Sequence, residues 1–256
     1  MKTTLMTIAS ASLFLSAGFA IADSHEPDKP TFTPVEAYAC NYRDGKGPAD
    51  LEKVNAAWNN WMDDEEQGDY FAALLMPHYY GERQFDVAWL GVWRDGNAMG
   101  TGTDLWIDEG GEFGAAYNEV VDCFSHTNYA SQRVQQAPDT GEESDGAFVV
   151  SFSNCSVKEG RTFDEYLAAQ TDWNAYAEEH GIHESAWVWW PIYGESDDDY
   201  HFKIAVGMPD HTTAGANWQL YSEGHYQKWS ELFDHLIDCD SARLYDGRVV
   251  REMAEE

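Results

Sequence analysis

The chain has 256 residues, of which 46 are Asp or Glu and 15 are Lys or Arg, a formal net charge of -31 at pH 7. A surface so acidic repels phosphate backbones and anionic lipid headgroups, which excludes nucleic acid and membrane surfaces as partners. With 43% hydrophobic residues the length still suits two domains of ordinary size, each able to bury a core.

Residues 1–22 read as a signal peptide. Lys2 gives the positive start, Leu13 to Ile21 is a short apolar run, and Ala20-Ile21-Ala22 offers a cleavage site before Asp23. The remainder is expected to be periplasmic or secreted, and no later segment is apolar enough to cross a bilayer. Residues 23–34 are polar and proline-containing, a disordered lead-in.

Residues 35–134 form a first unit. Val35 to Cys40 alternates as a strand. Pro48 opens a helix whose apolar stripe is Leu51, Val54, Trp58, Trp61 and Met62. Phe71 to Tyr80 and Phe85 to Trp93 are strands. Asp95-Gly96-Asn97 reads as a turn, followed by a glycine-rich loop to Gly102. A second helix carries Phe113, Ala116, Tyr117, Val120 and Val121 on one face, and a last strand runs from Cys123 to Val134. Residues 135–146 have linker composition.

Residues 147–250 repeat the plan, before a tail at 251–256. Phe148 to Cys155 is a strand. Thr162 and Glu165 make a capping box for a helix that buries Phe163, Tyr166, Ala169 or Gln170, Trp173 and Ala177. Ala186 to Tyr193 and Tyr200 to Met208 are the middle strands. Ser222 is placed to cap a last helix with Tyr226, Trp229, Phe233, Leu236 and Ile237 as its stripe, and a final strand runs from about Ser241 to Val250.

The two units share more than their plan. WNNWMDDEEQGDYFAALLMPHYYGE, from Trp58 to Glu82, is echoed by WNAYAEEHGIHESAWVWWPIYGE, from Trp173 to Glu195. Such an echo implies a tandem duplication. Cys40 and Cys123 stand 83 positions apart, and Cys155 and Cys239 stand 84 apart. In an oxidising compartment this favours one disulfide per copy, Cys40–Cys123 and Cys155–Cys239, and no CxxC or HxxxH spacing supports zinc.

The order β-α-β-β-α-β is the ferredoxin-like split βαβ, whose first and last strands lie side by side and would bring each cysteine pair together. The fold class is therefore α+β, with two tandem ferredoxin-like repeats. Both faces of the middle strands are apolar: Trp187-Val188-Trp189-Trp190 cannot turn all its rings one way, because strand side chains alternate. Packing the two sheets face to face hides them. That arrangement resembles the dimeric α+β barrel superfamily in single-chain, fused form, over about Val35 to Val250. The superfamily includes small monooxygenases, some acting on haem, which often use Asn, Trp and His in the cavity. Asn41, Trp89 and His126 are residues of those types in the first copy, and the second copy does not repeat the set.

Assigning the more apolar face of each strand to its helices sends Val87, Trp89, Gly91 and Trp93 outward. It leaves Glu36, Tyr38 and Asp86 in the first copy, and Ser151, Ser153, His201 and Lys203 in the second, to line the barrel interior as a ligand pocket. There His201 would act as acid or base and Lys203 would hold an anion. His180, His183 and Glu184 fall in a turn and read as solvated. His78 follows Pro77, has no counterpart in the second copy, and reads as a bulge. His126 has no visible partner. No glycine-rich phosphate loop, nucleophile elbow or metal-ligand motif appears, and no cofactor is assigned.

Three functions compete on this reading. The first is binding of a small organic ligand in an aromatic barrel interior. The second is a cofactor-independent monooxygenase or isomerase of the barrel type. The third is a structural protein with a solid core. The sequence leaves the oligomeric state open.

Overall fold

The structure, a computed structural model, describes residues 31–138, 145–194 and 200–254. The expected signal peptide, most of the lead-in, the centre of the linker and the run Asp197-Asp198-Asp199 lie outside these residues. In chain order the elements are β1 (Thr33–Tyr42), α1 (Pro48–Asp64), β2 (Tyr70–Tyr79), β3 (Val87–Trp93), α2 (Gly96–Glu109), α3 (Gly111–Val120) and β4 (Val121–Gln135). Then come β5 (Ala147–Val157), α4 (Phe163–His180), β6 (Ser185–Tyr193), β7 (Phe202–Met208), α5 (His211–Leu220), α6 (Tyr226–Phe233), β8 (Ile237–Cys239) and β9 (Arg243–Arg251).

All strand pairings are antiparallel, in the order β7-β6-β4-β1-β3-β2-β9-β5, and β5 pairs back with β7. Eight strands thus close into a barrel, with β8 attached to β5. The two halves, β4-β1-β3-β2 and β9-β5-β7-β6, face one another across the interior. They are also joined edge to edge at two seams, β4–β6 and β2–β9. Closure gives every ring strand a neighbour on both sides, where two separate facing sheets would have left four edges. An eight-stranded barrel has an interior just wide enough to be filled by side chains. Val35, Leu75, Ala88, Leu90, Tyr129 and Val150 fill it together with Trp189, Ala205 and Tyr245.

The helices lie outside the barrel. Leu51, Trp58 and Met62 of α1 bury against Leu74, Val87, Tyr70 and Trp93 of the first half. Tyr166 and Trp173 of α4 and Phe233 of α6 bury against Val188 and Phe202 of the second. Pro48 is the first residue of α1, and the Thr162–Glu165 capping box is formed. Both cysteine pairs are joined, Cys40–Cys123 between β1 and β4 and Cys155–Cys239 between β5 and β8. Among the described residues no helix is long and apolar enough to cross a bilayer.

Two expectations need correction. The glycine-rich stretch after Asp95 is helical, because the Asp95 side chain accepts from the Asn97 and Ala98 amides at 2.8 and 2.9 Å and caps α2. One of its glycines serves packing: a Cβ on Gly102 would stand 2.2 Å from the Trp93 ring, whereas Gly96 and Gly100 face open space. The last helix begins at Tyr226 rather than after Ser222, and a further, unexpected helix, α5, precedes it across a kink at Tyr221–His225, where Gly224 takes φ +116°. Ser222 donates to the Gln219 carbonyl at 2.8 Å there, and Ile237 belongs to β8.

Candidate functional site between helices and sheet of the first half

Directly opposed residues of an antiparallel pair share a face of the sheet. Glu36 stands opposite Gly91, and Tyr38 opposite Trp89. Trp89 packs on Trp58 of α1, with ring centroids 5.1 Å apart. Glu36 and Tyr38 therefore point outward, toward the helices, and Val35 and Ala37 point into the barrel. This corrects their expected interior position. Judging each strand by its own polarity failed because the small residues of β1 suit the crowded interior, whereas its polar ones line a cavity.

That cavity, of about 550 Å³, lies between β1–β4 and α1–α3. Trp58, Trp61, Trp89, Trp93, Trp106 and Tyr117 give most of its wall an aromatic character. Three of its polar side chains converge on one carboxylate. Trp89 Nε1 donates to Tyr70 Oη at 2.9 Å, Tyr70 Oη donates to Glu36 Oε1 at 2.7 Å, and His126 Nε2 lies 3.1 Å from Glu36 Oε2. The His126 ring stacks on Tyr38 at 3.7 Å. Glu36 has 17% of its side chain exposed and His126 has 52%, so the pair connects a buried acceptor to water.

The tyrosines keep their protons. Burial first, then the charge of Glu36 and a hydrogen bond to it, hold the Tyr38 phenol far above its ordinary range. Tyr70 is pushed up by the same causes in the same order. Burial alone raises Tyr117, whose hydroxyl donates to Asn55 Oδ1 at 2.9 Å. A neutral Tyr70 is a permanent donor to Glu36, so the carboxylate is held in one orientation with its other oxygen facing His126.

His126 reaches this position through a bulge. Cys40 pairs with Cys123 but Ala39 pairs with Ser125, so Phe124 is an extra residue in β4. The slip sets His126 opposite Tyr38, on the outward face. The disulfide alone would have set the register one residue away and turned His126 inward. Of the resemblance set, Trp89 and His126 line the cavity, and Asn41 is exposed and does not.

The remaining expected site residues are dispersed. Asp86 accepts from the Tyr42 amide at 2.9 Å and pairs with Arg83 at 2.5 Å, outside the cavity wall. Ser151 and Ser153 stand opposite Val206 and Ile204, on the helix side of the second half. Lys203 does face the interior, where its ammonium donates to Asn154 Oδ1 at 2.9 Å and lies 4.0 Å from the Tyr200 ring centroid. His201 Nδ1 accepts from the Val157 amide at 3.1 Å. Ser151 and Ser153 hold the places of Glu36 and Tyr38, and Ile204 and Val206 those of Trp89 and Gly91. The corresponding space is filled by Tyr166, Phe202 and Phe233. His180, His183 and Glu184 do not converge: His180 Nδ1 meets the Tyr176 carbonyl at 2.8 Å, and burial raises the Glu184 carboxyl beside Trp173.

No family model and no curated protein matches the chain. Solved structures do. A candidate monooxygenase from Fusobacterium nucleatum superposes with a TM-score of 0.55 at 11% identity, over 86% of this chain and 94% of that one. A candidate chlorite dismutase gives 0.52 at 14% identity, over 86% and 96%. The chain shares its closed barrel with these structures, which are of the dimeric α+β barrel type. A haem-binding protein from Thermus thermophilus shares it, with a TM-score of 0.50 at 10% identity over 88% and 94%. At such identities the likeness carries the barrel alone. Haem itself does not fit this cavity. Haem brings two carboxylates, yet among the described residues that line the cavity there is no Lys or Arg, and the one imidazole among them, His126, has its Nε2 engaged by Glu36.

Proposed function

We propose that the chain binds a small, flat, largely apolar organic molecule in the helix-side cavity of its first half, presenting a hydroxyl or amine hydrogen to Glu36. The observation that carries this reading is the single carboxylate, oriented by Tyr70 and His126, in a cavity otherwise walled by indole and phenol rings. Sites of several hundred Å³ with apolar walls and a few convergent polar groups are the usual form of small-molecule pockets. Titrating the protein with naphthols and hydroquinones, read by quenching of tryptophan fluorescence, tests it. Glu36→Gln should weaken binding at least about 10-fold, the loss of one charge-assisted hydrogen bond. Equal affinities for the two proteins would end the proposal.

A second reading, catalysis without a cofactor, is favoured by the Glu36–His126 pair. The carboxylate would take a proton from a bound phenol or enol, and His126, half in water, would pass it to solvent. The resulting anion would be reprotonated at another carbon by an isomerase, or would react with added dioxygen in a monooxygenase. Oxygen consumption or product formation with a bound naphthol would favour this over binding alone.

The same reading extends to origin and location. The strand orders β4-β1-β3-β2 and β9-β5-β7-β6 and the equivalent disulfides support two copies of one ferredoxin-like unit, of which the first kept a cavity and the second filled it. Two disulfides fit an oxidising compartment, in keeping with residues 1–22 as an export signal.

A further inference from the structure

We infer that His78, His211 and Asp246 form a binding site for one divalent first-row metal ion of the zinc type. It lies at the β2–β9 seam, away from the helix-side cavity. Three segments distant in sequence bring these side chains together: the end of β2, the first residue of α5 and the middle of β9. His78 Nδ1 lies 3.0 Å from Asp246 Oδ2, and His211 Nε2 lies 2.6 Å from Asp246 Oδ1. The two imidazole centroids are 4.6 Å apart, and one ligand atom from each of the three residues falls within 4.8 Å of the others. A tetrahedral zinc with ligand distances of about 2.0–2.1 Å needs donors roughly 3.3 Å apart, a spacing this trio brackets. No other trio of His, Cys, Asp or Glu among the described residues converges so closely.

The backbone supports the same reading independently. Pairing between β2 and β9 slips between Pro77 and Tyr79, which leaves His78 as the extra residue of a bulge. Met76 stands opposite Asp246, and strand alternation puts His78, two residues further on, on that same face. At α5 the Asp210 side chain accepts from the Thr213 amide at 2.7 Å and fixes the first turn, and with it His211. Two imidazoles and one carboxylate are a borderline donor set that suits zinc or copper better than calcium or magnesium. Three protein ligands leave a fourth position for water or an outside ligand. All three side chains are partly exposed, so an ion can enter from solvent, and the acidic surface raises the local cation concentration.

The test uses the full disulfide-bonded chain, stripped with a chelator and titrated calorimetrically with Zn2+ in excess Mg2+, which occupies the general acidic surface. The expected result is one Zn2+ per chain, a rise in the thermal midpoint, and a tetrahedral absorption band when Co2+ replaces Zn2+. His211→Ala and Asp246→Asn should each weaken Zn2+ binding at least roughly 10-fold, since even outer-shell changes at zinc sites cost that much. His225→Ala, which alters an imidazole bonded to Tyr176 instead, should leave the affinity unchanged. His78→Ala provides a second ligand variant should Asp246→Asn fold poorly. Binding that does not saturate, or that is equally tight in His211→Ala and His78→Ala, overturns the inference. Fluorescence titration with naphthol is independent of this outcome, so the two sites succeed or fail separately.

Discussion

Gly91→Ala perturbs the site through one methyl group. A Cβ at this position would stand 1.9 Å from Tyr70 Oη, 2.6 Å from Tyr70 Cζ and 2.9 Å from Glu36 Cγ. β3 is held between β1 and β2, so the strand cannot retreat, and the Tyr70 ring must leave. The departing hydroxyl gives up its bond to the Glu36 carboxylate and its bond from Trp89, about 1.5–3 and 1 kcal/mol respectively. Crowding in a packed layer adds roughly 1–3 kcal/mol. Together the substitution should cost on the order of 3.5–7 kcal/mol, a fall of roughly 10 °C or more in thermal midpoint for a domain of this size. Urea unfolding with intact disulfides, read by tryptophan fluorescence and far-UV dichroism, measures it. Tyr70→Phe should cost about 2–4 kcal/mol alone, the two bonds without the crowding. In the double variant the two costs should fall short of additivity, because the hydroxyl can be lost only once. A Gly91→Ala protein within about 0.5 kcal/mol of the parent, the range of neutral surface changes, would show that Tyr70 does not occupy this place and that Glu36 is not held by it.

Other outcomes can be checked with the same preparations. The phenols of Tyr38, Tyr70 and Tyr117 are raised by burial, so an alkaline titration at 295 nm should leave these three silent in the folded chain until it unfolds. The unfolded chain loses those protons from about pH 10 and the folded chain keeps them, so stability should be intact below that pH and fall as pH rises above it. Replacing both Cys155 and Cys239 by Ser opens a loop of 84 positions and should cost about 4–5 kcal/mol, with the midpoint in urea falling accordingly. Thr162→Ala removes the side chain that accepts from the Glu165 amide at the start of α4 and should cost about 1 kcal/mol. Trp173→Ala should cost roughly 3–5 kcal/mol, because its ring is buried under α4 and has no water to fall back on.

Much of the barrel was legible in the sequence because its signals are local. Pro48, the Thr162–Glu165 pair and the alternation in β3 each report on a few neighbouring residues. The cysteine spacing reported the pairing of first and last strands because a disulfide is a long-range contact written in residue identity. The site was less legible. The inward or outward sense of Glu36 depends on its partner across the strand, Gly91, and not on the polarity of β1. The partnership of His126 with Glu36 depends on Phe124 being an extra residue, and nothing in the composition of β4 marks that slip. The His78 bulge was readable from Pro77, but its partners His211 and Asp246 are far off in sequence and form no spacing motif. The glycines of α2 were read as a loop because the packing of Gly102 against Trp93 appears only once the sheet is present.

The central claim is that the ligand site lies between helices and sheet of the first half, with the barrel interior solid. Crystals soaked with a bromonaphthol and measured at the bromine absorption edge test it most directly. The account expects one anomalous peak beside Trp58 and Trp89, with the naphthol oxygen in hydrogen-bond reach of Glu36. A peak among Val150, Trp189 and Tyr245 inside the barrel, or one under α4 and α6, would contradict it.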